Sequence, residues 1–192
     1  QDKAAMRARL RELDVPCPRW IDLAAADASG DPARALDEFA AEVGWPLVLK
    51  AARGGYDGKG VWVVSNALAA VELLASGTPL IAEEKVAIAR ELAADVARSP
   101  FGQGAAWPVV QTVQRDGICV EVLAPAPDLP QDRADEAHSL ALRLADELGV
   151  VGVLAVELFE TVDGRLLVNE LAMRPHNSGH WTIEGARTSQ FE

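Results

Sequence analysis

The chain has 192 residues, enough for one large domain or two small ones. A content of 49% hydrophobic and 24% charged residues is typical of globular proteins and excludes collagen-like, coiled-coil and disordered chains. With 18 basic and 29 acidic side chains the net charge is −11, which excludes nucleic acid and anionic membranes as bulk partners.

The first part of the chain predicts helices alternating with short strands. An amphipathic helix is expected over Asp2–Leu13, and Asp31-Pro32 opens a second helix that runs to Val43 and ends at Gly44. The remaining elements predicted here are strands over residues 47–50, 60–64 and 80–84, and a helix over 66–76.

The pattern changes after Lys85 and predicts a second subdomain. It contains strands over 91–98, 107–113, 118–122, 151–159 and 165–171, a long helix over 131–148, and a loop-rich tail over 172–192. We expect the run Leu92–Val96 to be apolar, and Asp95 interrupts it. Hairpin-like strand runs mixed with helices predict an α+β fold, divided into residues 1–82 and 83–192.

A glycine-rich loop, residues 54–60, separates two predicted strands and is flanked by Lys50 and Lys59. It matches neither a Walker A loop nor a dinucleotide fingerprint, because a strand follows it and no Lys-Ser/Thr pair closes it. Backbone amides of such a loop can close over phosphates, and the lysines add positive charge. The loop therefore predicts a phosphate site, with a plain surface hairpin as the alternative.

Two glutamates lie in neighbouring apolar strands. Asp163-Gly164 is a strong two-residue hairpin signal, and centring the turn there places Val162 opposite Arg165 and Glu157 opposite Glu170. Opposed like charges destabilise a sheet, whereas two carboxylates about 5 Å apart suit Mg²⁺. The pair predicts a magnesium site, with an edge hairpin solvating both glutamates as the alternative.

The tail carries a cation, imidazoles and an amide a few residues after Glu170. Arg174, His176 and Asn177 suit an anionic substrate, since arginine can hold a carboxylate or phosphate with two hydrogen bonds; a solvated loop is the alternative. The backbone of Glu83–Val86, where the subdomains would meet, can pair with an adenine edge, and Glu91 can reach a ribose.

The glycine-rich loop and the run Asn169–Trp181 closely resemble the 5-(carboxyamino)imidazole ribonucleotide synthase family of ATP-grasp ligases. Residues 152–159 and 188–192 support the resemblance, which extends over nearly the whole chain. It implies two α+β subdomains that clamp a nucleotide between them. It also implies a reaction in which ATP phosphorylates bicarbonate and 5-aminoimidazole ribonucleotide captures the carboxyl group of the carboxyphosphate formed.

The resemblance implies a role for each matching position. ATP would be bound by its phosphates at Lys50, Gly55, Tyr56, Asp57, Gly58, Lys59, Gly60 and Val61, by its adenine at Glu83, Glu84, Lys85 and Val86, by its ribose at Glu91, and further by Gln114. Mg²⁺ would be held by Glu157 and Glu170, with Asn169 beside the nucleotide. Bicarbonate and the ribonucleotide would meet Tyr56, Asp57, Lys59, Arg174, His176 and Asn177.

The resemblance also implies a cytoplasmic enzyme, which agrees with two cysteines that form no disulfide framework. It raises a homodimer as the quaternary state of the full-length protein. Family members carry an N-terminal and a C-terminal domain in addition to this region, so the sequence reads as an ATP-grasp core. The alternatives are another ATP-grasp carboxylase or ligase and, for these residues alone, a nucleotide-binding module without turnover.

Overall fold

The computed structural model describes residues 2–26, 31–54 and 59–192. Its residues cluster into two units, Gln1–Ala87 and Ile88–Glu192. The first unit contains α1 (Lys3–Glu12), β1 (Trp20–Asp22), α2 (Leu23–Ala26), α3 (Pro32–Val43), β2 (Leu47–Ala51), β3 (Val61–Val64), α4 (Ala67–Ala75) and β4 (Leu80–Glu84). The second contains β5 (Ile88–Arg98), β6 (Gly104–Ala106), β7 (Val110–Arg115), β8 (Ile118–Leu123), α5 (Gln131–Glu147), β9 (Gly152–Thr161), β10 (Leu166–Ala172), a 3₁₀ turn (Asn177–Gly179) and α6 (Thr182–Gly185).

Side-chain caps begin three helices of the first unit. Asp2, Asp31 and Asn66 each accept a hydrogen bond from a backbone amide in the first turn of α1, α3 and α4 respectively. Gly44 ends α3 with a φ of +86°, a conformation that favours glycine. These caps explain why the predicted helices appear at the expected positions.

The first unit is built on an antiparallel sheet with the strand order β1-β4-β2-β3. Its main core lies on one face, where Leu47 and Leu49 of β2 pack with Leu36 and Phe39 of α3. Each fully buried side chain of this kind contributes about 1.5–3 kcal/mol. Lys50 and Glu83 point to the other face, because they alternate with core residues along β2 and β4.

The second unit is built on a six-stranded antiparallel sheet ordered β10-β9-β5-β7-β8, with β6 paired to β5. Helix α5 covers one face and is attached by ion pairs of Arg98 with Asp146 at 2.7 Å and of Arg133 with Glu160 at 3.5 Å. The polar tail packs on the opposite face, where Ser178 bonds Asp95 of β5. The entirely antiparallel pairing confirms the predicted α+β fold.

Several features differ from the prediction, among them helix α2, which was not expected. Strands β1 and β6, of three residues each, were not expected, and β7 begins at Val110, after Pro108, rather than at Trp107. Asp95 is buried within β5 and belongs to a polar network described below. The longest helix in the described ranges has 17 residues, and none there is both long and apolar enough to cross a bilayer.

Candidate functional site

The hairpin of β9 and β10 places Glu157 opposite Glu170, as predicted. The predicted turn was wrong by one residue. Thr161, not Val162, opposes Arg165, because a three-residue loop ends at Gly164 with a φ of +82°. The register shifts again between Val168 and Glu170, and this β-bulge restores the pairing of the two glutamates.

The bulge also aims Asn169 at Glu157. A β-bulge places an extra residue in one strand, and here the Asn169 side chain lies 3.3 Å from Glu157, with Nδ2 donating to Oε2. Asn169, Glu157 and Glu170 are all half-buried. The hairpin thus collects two carboxylates and one amide at a single point of the sheet.

Strand register shows that further acidic residues share this face. Ala93 of β5 is paired with Glu157, so Glu91 and Asp95, two residues to either side, point the same way. We call Glu91, Asp95, Glu157 and Glu170 the acidic face. Thr112 of β7 pairs with Glu91, and Gln114 lies two residues further along the same strand. Gln114 therefore points to this side as well.

The tail folds onto the acidic face through His176. Its Nε2 lies 3.0 Å from Glu157 Oε1, and its Nδ1 lies 2.8 Å from Ser178 Oγ. Ser178 Oγ in turn lies 2.9 Å from both carboxylate oxygens of Asp95. A continuous hydrogen-bonded chain therefore runs from the predicted magnesium ligand Glu157 into the interior of the unit.

Gln190 holds the backbone of the same histidine. Its side chain accepts from His176 N and donates to His176 O, both at 2.8 Å. Gly179 is required beside it, because a Cβ there would lie 2.6 Å from Gln190 Oε1 and 3.0 Å from Asp95 Oδ2. The backbone and the ring of His176 are consequently both fixed.

The chemistry of the acidic face fits Mg²⁺, which prefers carboxylate oxygens and retains positions for phosphate and water. Each carboxylate oxygen has two acceptor positions, so the hydrogen bonds from His176 and Asn169 leave Glu157 able to bind a cation. Across residues 2–26, 31–54 and 59–192, no three His, Cys, Asp or Glu side chains form a metal site. A cation here would therefore rely on two carboxylates and on ligand oxygens.

Burial shifts the pKa of Asp95. Removal from water raises the pKa of this carboxyl to about 6, and the nearby Glu157 adds to the shift. The hydrogen bond from Ser178 and the attraction of His176 oppose it in part. Asp95 is therefore held ionised at neutral pH against the cost of its burial.

In the first unit the predicted phosphate ligand Lys50 belongs to a buried charge cluster. Glu83 bonds Arg7 Nε at 2.7 Å through one oxygen and Lys50 Nζ at 2.8 Å through the other. Burial alone would raise the pKa of Glu83, but Lys50 and Arg7 outweigh it and lower the pKa. The side chain of Glu83 is thus a counter-ion, and only its backbone is left for the predicted contact with adenine.

The other residues predicted for nucleotide binding lie at strand ends. Glu84 bonds the Arg19 side chain at 3.0 Å, and Lys85 and Val86 follow the last residue of β4. Gly60, with a φ of +77°, accepts a hydrogen bond from Ala51 at 2.8 Å, and the partly exposed Val61 begins β3. Lys59 is exposed beside them. Gly55, Tyr56, Asp57 and Gly58 lie outside the described residues.

The two remaining tail residues differ in their contact with the hydrogen-bonded chain. Arg174 is exposed and donates to the Pro175 carbonyl at 2.9 Å, while the exposed Asn177 accepts from Ser178 N at 2.9 Å. The structure brings His176, Glu157, Glu170 and Asn169 together. It does not place Arg174 in contact with them.

Sequence reasoning missed four residues of these networks: Arg7, Asp95, Ser178 and Gln190. Arg7 lies on the buried side of α1 with Leu10, where an amphipathic pattern predicts apolar side chains. The signal available for Asp95 was its position in an apolar run, since a buried charge needs a partner. No local signal marked Gln190 as a clamp.

Comparison with known proteins adds three findings. The ATP-grasp domain family matches residues 8–191. The N5-carboxyaminoimidazole ribonucleotide synthase of Mycobacterium tuberculosis (strain ATCC 25618 / H37Rv) is 63% identical over 196 residues, covering 100% of this chain and 44% of the relative. The chain therefore spans less than half the length of that relative.

Two solved structures are also similar to this chain over its whole length. The crystal structure of carboxyaminoimidazole ribonucleotide synthase from Aspergillus clavatus complexed with ATP is 32% identical, with a TM-score of 0.89. The structure of the enzyme from that organism with ADP and 5-aminoimidazole ribonucleotide is 31% identical, with a TM-score of 0.87. Both alignments cover 100% of this chain and 49% of the matched chain.

Proposed function

The chain belongs to the ATP-grasp family, and on this basis we propose that it forms the nucleotide-binding part of a 5-aminoimidazole ribonucleotide carboxylating ligase. The substrates are ATP, bicarbonate and 5-aminoimidazole ribonucleotide (AIR), and Mg²⁺ accompanies the nucleotide. The opposed pair of Glu157 and Glu170, joined to His176, carries this proposal. The similarity to N5-carboxyaminoimidazole ribonucleotide synthases over the whole chain supports the choice of substrate.

Glu157 and Glu170 hold the cation. Two opposed carboxylates repel each other in the apoprotein, so a divalent cation is favoured at that point. His176 and Asn169 orient Glu157 from the side, as outer hydrogen-bond partners of metal ligands generally do. When bound, Mg²⁺ neutralises charge on the phosphate oxygens.

The first unit supplies the groups for the rest of the nucleotide. Lys50 provides a cation for phosphate, held in one orientation by Glu83, and the glycine-rich loop provides backbone amides. The backbone of Glu83–Val86 takes the adenine. On the second unit, Glu91 takes the ribose, and Gln114 is a further nucleotide contact on the same face.

The chemistry consists of two transfers. A bicarbonate oxygen attacks the γ-phosphorus, the bond to the ADP oxygen breaks, and carboxyphosphate forms. The exocyclic amine of AIR then attacks the carboxyl carbon, the carbon–oxygen bond to phosphate breaks, and the amine loses a proton. Arg174, His176 and Asn177, with Tyr56, Asp57 and Lys59, hold the anions in line, which is the main contribution a protein makes to phosphoryl transfer.

The test measures ADP release by the whole protein, meaning the gene product that contains these 192 residues. With ATP and Mg²⁺ present, we expect omission of either AIR or bicarbonate to lower ADP release about tenfold or more, equivalent to at least about 1.4 kcal/mol. Release that depends on a different acceptor would identify another ATP-grasp ligase. ATP binding without acceptor-dependent release would identify a binding module, and either result would refute the proposal.

Glu170→Gln supplies the matched test of the site. It removes one charge of the opposed pair while keeping the shape, so turnover should be lost in a folded protein. Glu121→Gln is the control, because Glu121 is an exposed glutamate of the same sheet on the opposite face.

A further inference from the structure

Asp95 lies in β5, an interior strand of the second sheet, and its neighbours along the chain are apolar. It is 6% exposed, and the adjacent Ala94 and Val96 are fully buried on the side covered by α5. An ionised carboxylate at such a position is costly unless it is hydrogen-bonded. Its retention therefore needs a specific partner, and that partner is Ser178.

The contacts of Ser178 connect Asp95 to the candidate site. Ser178 is fully buried, and its Oγ lies 2.9 Å from each oxygen of Asp95 and 2.8 Å from His176 Nδ1. An ionised carboxylate only accepts, so the single hydroxyl proton of Ser178 points to Asp95. The same oxygen faces Nδ1 of the His176 ring, and the backbone N–H of Ser178 lies 3.4 Å from that nitrogen.

Both nitrogens of His176 thereby have a defined partner. Nδ1 faces Ser178, and Nε2 faces Glu157 at 3.0 Å. Gln190 holds the backbone of His176 but does not determine the rotation of its ring. The ring orientation depends on Ser178, and the orientation of the Ser178 hydroxyl depends on Asp95.

We propose that Asp95 is a positioning residue for the reaction: acting through Ser178, it fixes the ring of His176 against Glu157. This inference rests on the proposed function for its effect on turnover, but its structural part can be tested without turnover. In this proposal Asp95 acts through Ser178 and does not itself bind substrate or cation. Its role is to keep a group next to the opposed glutamates in one orientation.

Two substitutions of Asp95 separate hydrogen bonding from packing. Asp95→Leu keeps the branched shape and removes both acceptor oxygens, whereas Asp95→Asn keeps one acceptor for Ser178. Ser178→Ala breaks the same connection from the other side and covers the case in which Asp95→Leu does not fold. Val96→Ala, on the same strand but on the opposite face, controls for a general loss of stability.

The direct readout is ¹⁵N NMR of the whole protein labelled with [¹⁵N]histidine, with His176 identified by the loss of its signals in His176→Gln. We expect the His176 Nδ1 signal to move in Asp95→Leu and Ser178→Ala, because its hydroxyl partner is lost or no longer oriented. It should stay in place in Asp95→Asn and Val96→Ala. Unchanged signals in Asp95→Leu, or equal shifts in Asp95→Asn and Asp95→Leu, would overturn the proposal.

Turnover gives the second readout. We expect Asp95→Leu and Ser178→Ala each to lower kcat about tenfold to hundredfold, as small misplacements of reacting groups do, while KM for ATP changes less than about twofold. The double variant should be no worse than either single one, since both break the same connection. Losses that multiply in the double variant would contradict action through Ser178. A wild-type protein without AIR-dependent turnover would refute the proposed function, whereas the NMR result would still decide the positioning role.

Discussion

The buried charge cluster of the first unit predicts a large effect of Glu83→Gln on stability. The side chains of Arg7, Glu83 and Lys50 are 1%, 3% and 11% exposed, so the substitution leaves two cations facing a neutral amide away from water. Breaking a buried ion pair from one side costs about 3–5 kcal/mol. For a chain of this size the melting temperature should fall by roughly 6–20 °C.

The stability difference between the wild type and Glu83→Gln should also depend on pH. The pKa of Glu83 is lowered from 4.5 in the fold, because Lys50 and Arg7 outweigh the effect of burial. Its ionised form therefore adds stability above that value, and the contribution is lost as the pH falls through the lowered pKa. The difference between the wild type and Glu83→Gln should be full at neutral pH and shrink in acid.

Urea unfolding at several pH values measures this difference. Glu84→Gln is the matched control, since the neighbouring Glu84 pairs with Arg19, which is 59% exposed, and such surface pairs contribute at most about 1 kcal/mol. A loss in Glu83→Gln no larger than in Glu84→Gln, or a loss independent of pH, would show that the cluster is not the counter-ion network described here.

Three further predictions concern the second unit. Glu170→Gln should abolish turnover while raising the stability of the apoprotein through relief of like-charge repulsion, and normal activity of the folded variant would exclude a role in cation binding. Arg174→Lys should cost roughly 2–4 kcal/mol in transition-state stabilisation but less than about 1 kcal/mol in ATP affinity, measured as turnover and ATP binding of one preparation; equal losses in both would make Arg174 a nucleotide ligand. Because its pKa rises from 3.8 to about 6 in the fold, ionised Asp95 should lower stability by roughly 2 kcal/mol as the pH rises from 4 to 7, relative to Asp95→Asn in urea unfolding at each pH. A constant difference between these two proteins across that range would contradict the shift.

Local signals in the sequence identified much of the fold. Asp2, Asp31 and Asn66 cap the predicted helices, and the apolar runs around Glu157 and Glu170 form the predicted strands. These features depend on neighbours a few residues apart, which a sequence shows directly. The short strands β1 and β6 were missed because three residues carry too little periodicity to be recognised.

The pairing of Glu157 with Glu170 was predicted correctly from a turn that was placed wrongly. The loop holds one residue more than assumed, and the bulge at Asn169 compensates for it. Nothing in the residue pattern distinguishes a two-residue turn without a bulge from a three-residue loop with one. The first arrangement leaves Asn169 on the far side, whereas the second turns it toward Glu157.

The networks that orient the candidate site depend on contacts between distant residues. Arg7 meets Glu83 across 76 positions, and Asp95 meets Ser178 across 83. Of these charged side chains, the sequence pattern marked only Asp95, as the residue that interrupts an apolar run. Burial becomes favourable only when the fold brings its partner within hydrogen-bonding distance, and that information is not local.

The origin of the oxygen in the released phosphate tests the proposed reaction most directly. If bicarbonate attacks the γ-phosphorus and the carboxyl group then passes to AIR, one bicarbonate oxygen remains on the phosphate. Turnover of the whole protein with [¹⁸O]bicarbonate, ATP, Mg²⁺ and AIR, kept short to limit exchange with water, should yield phosphate carrying one ¹⁸O, detected by ³¹P NMR. Unlabelled phosphate released alongside ADP would mean that water attacks ATP and would contradict the carboxylation proposed for this site.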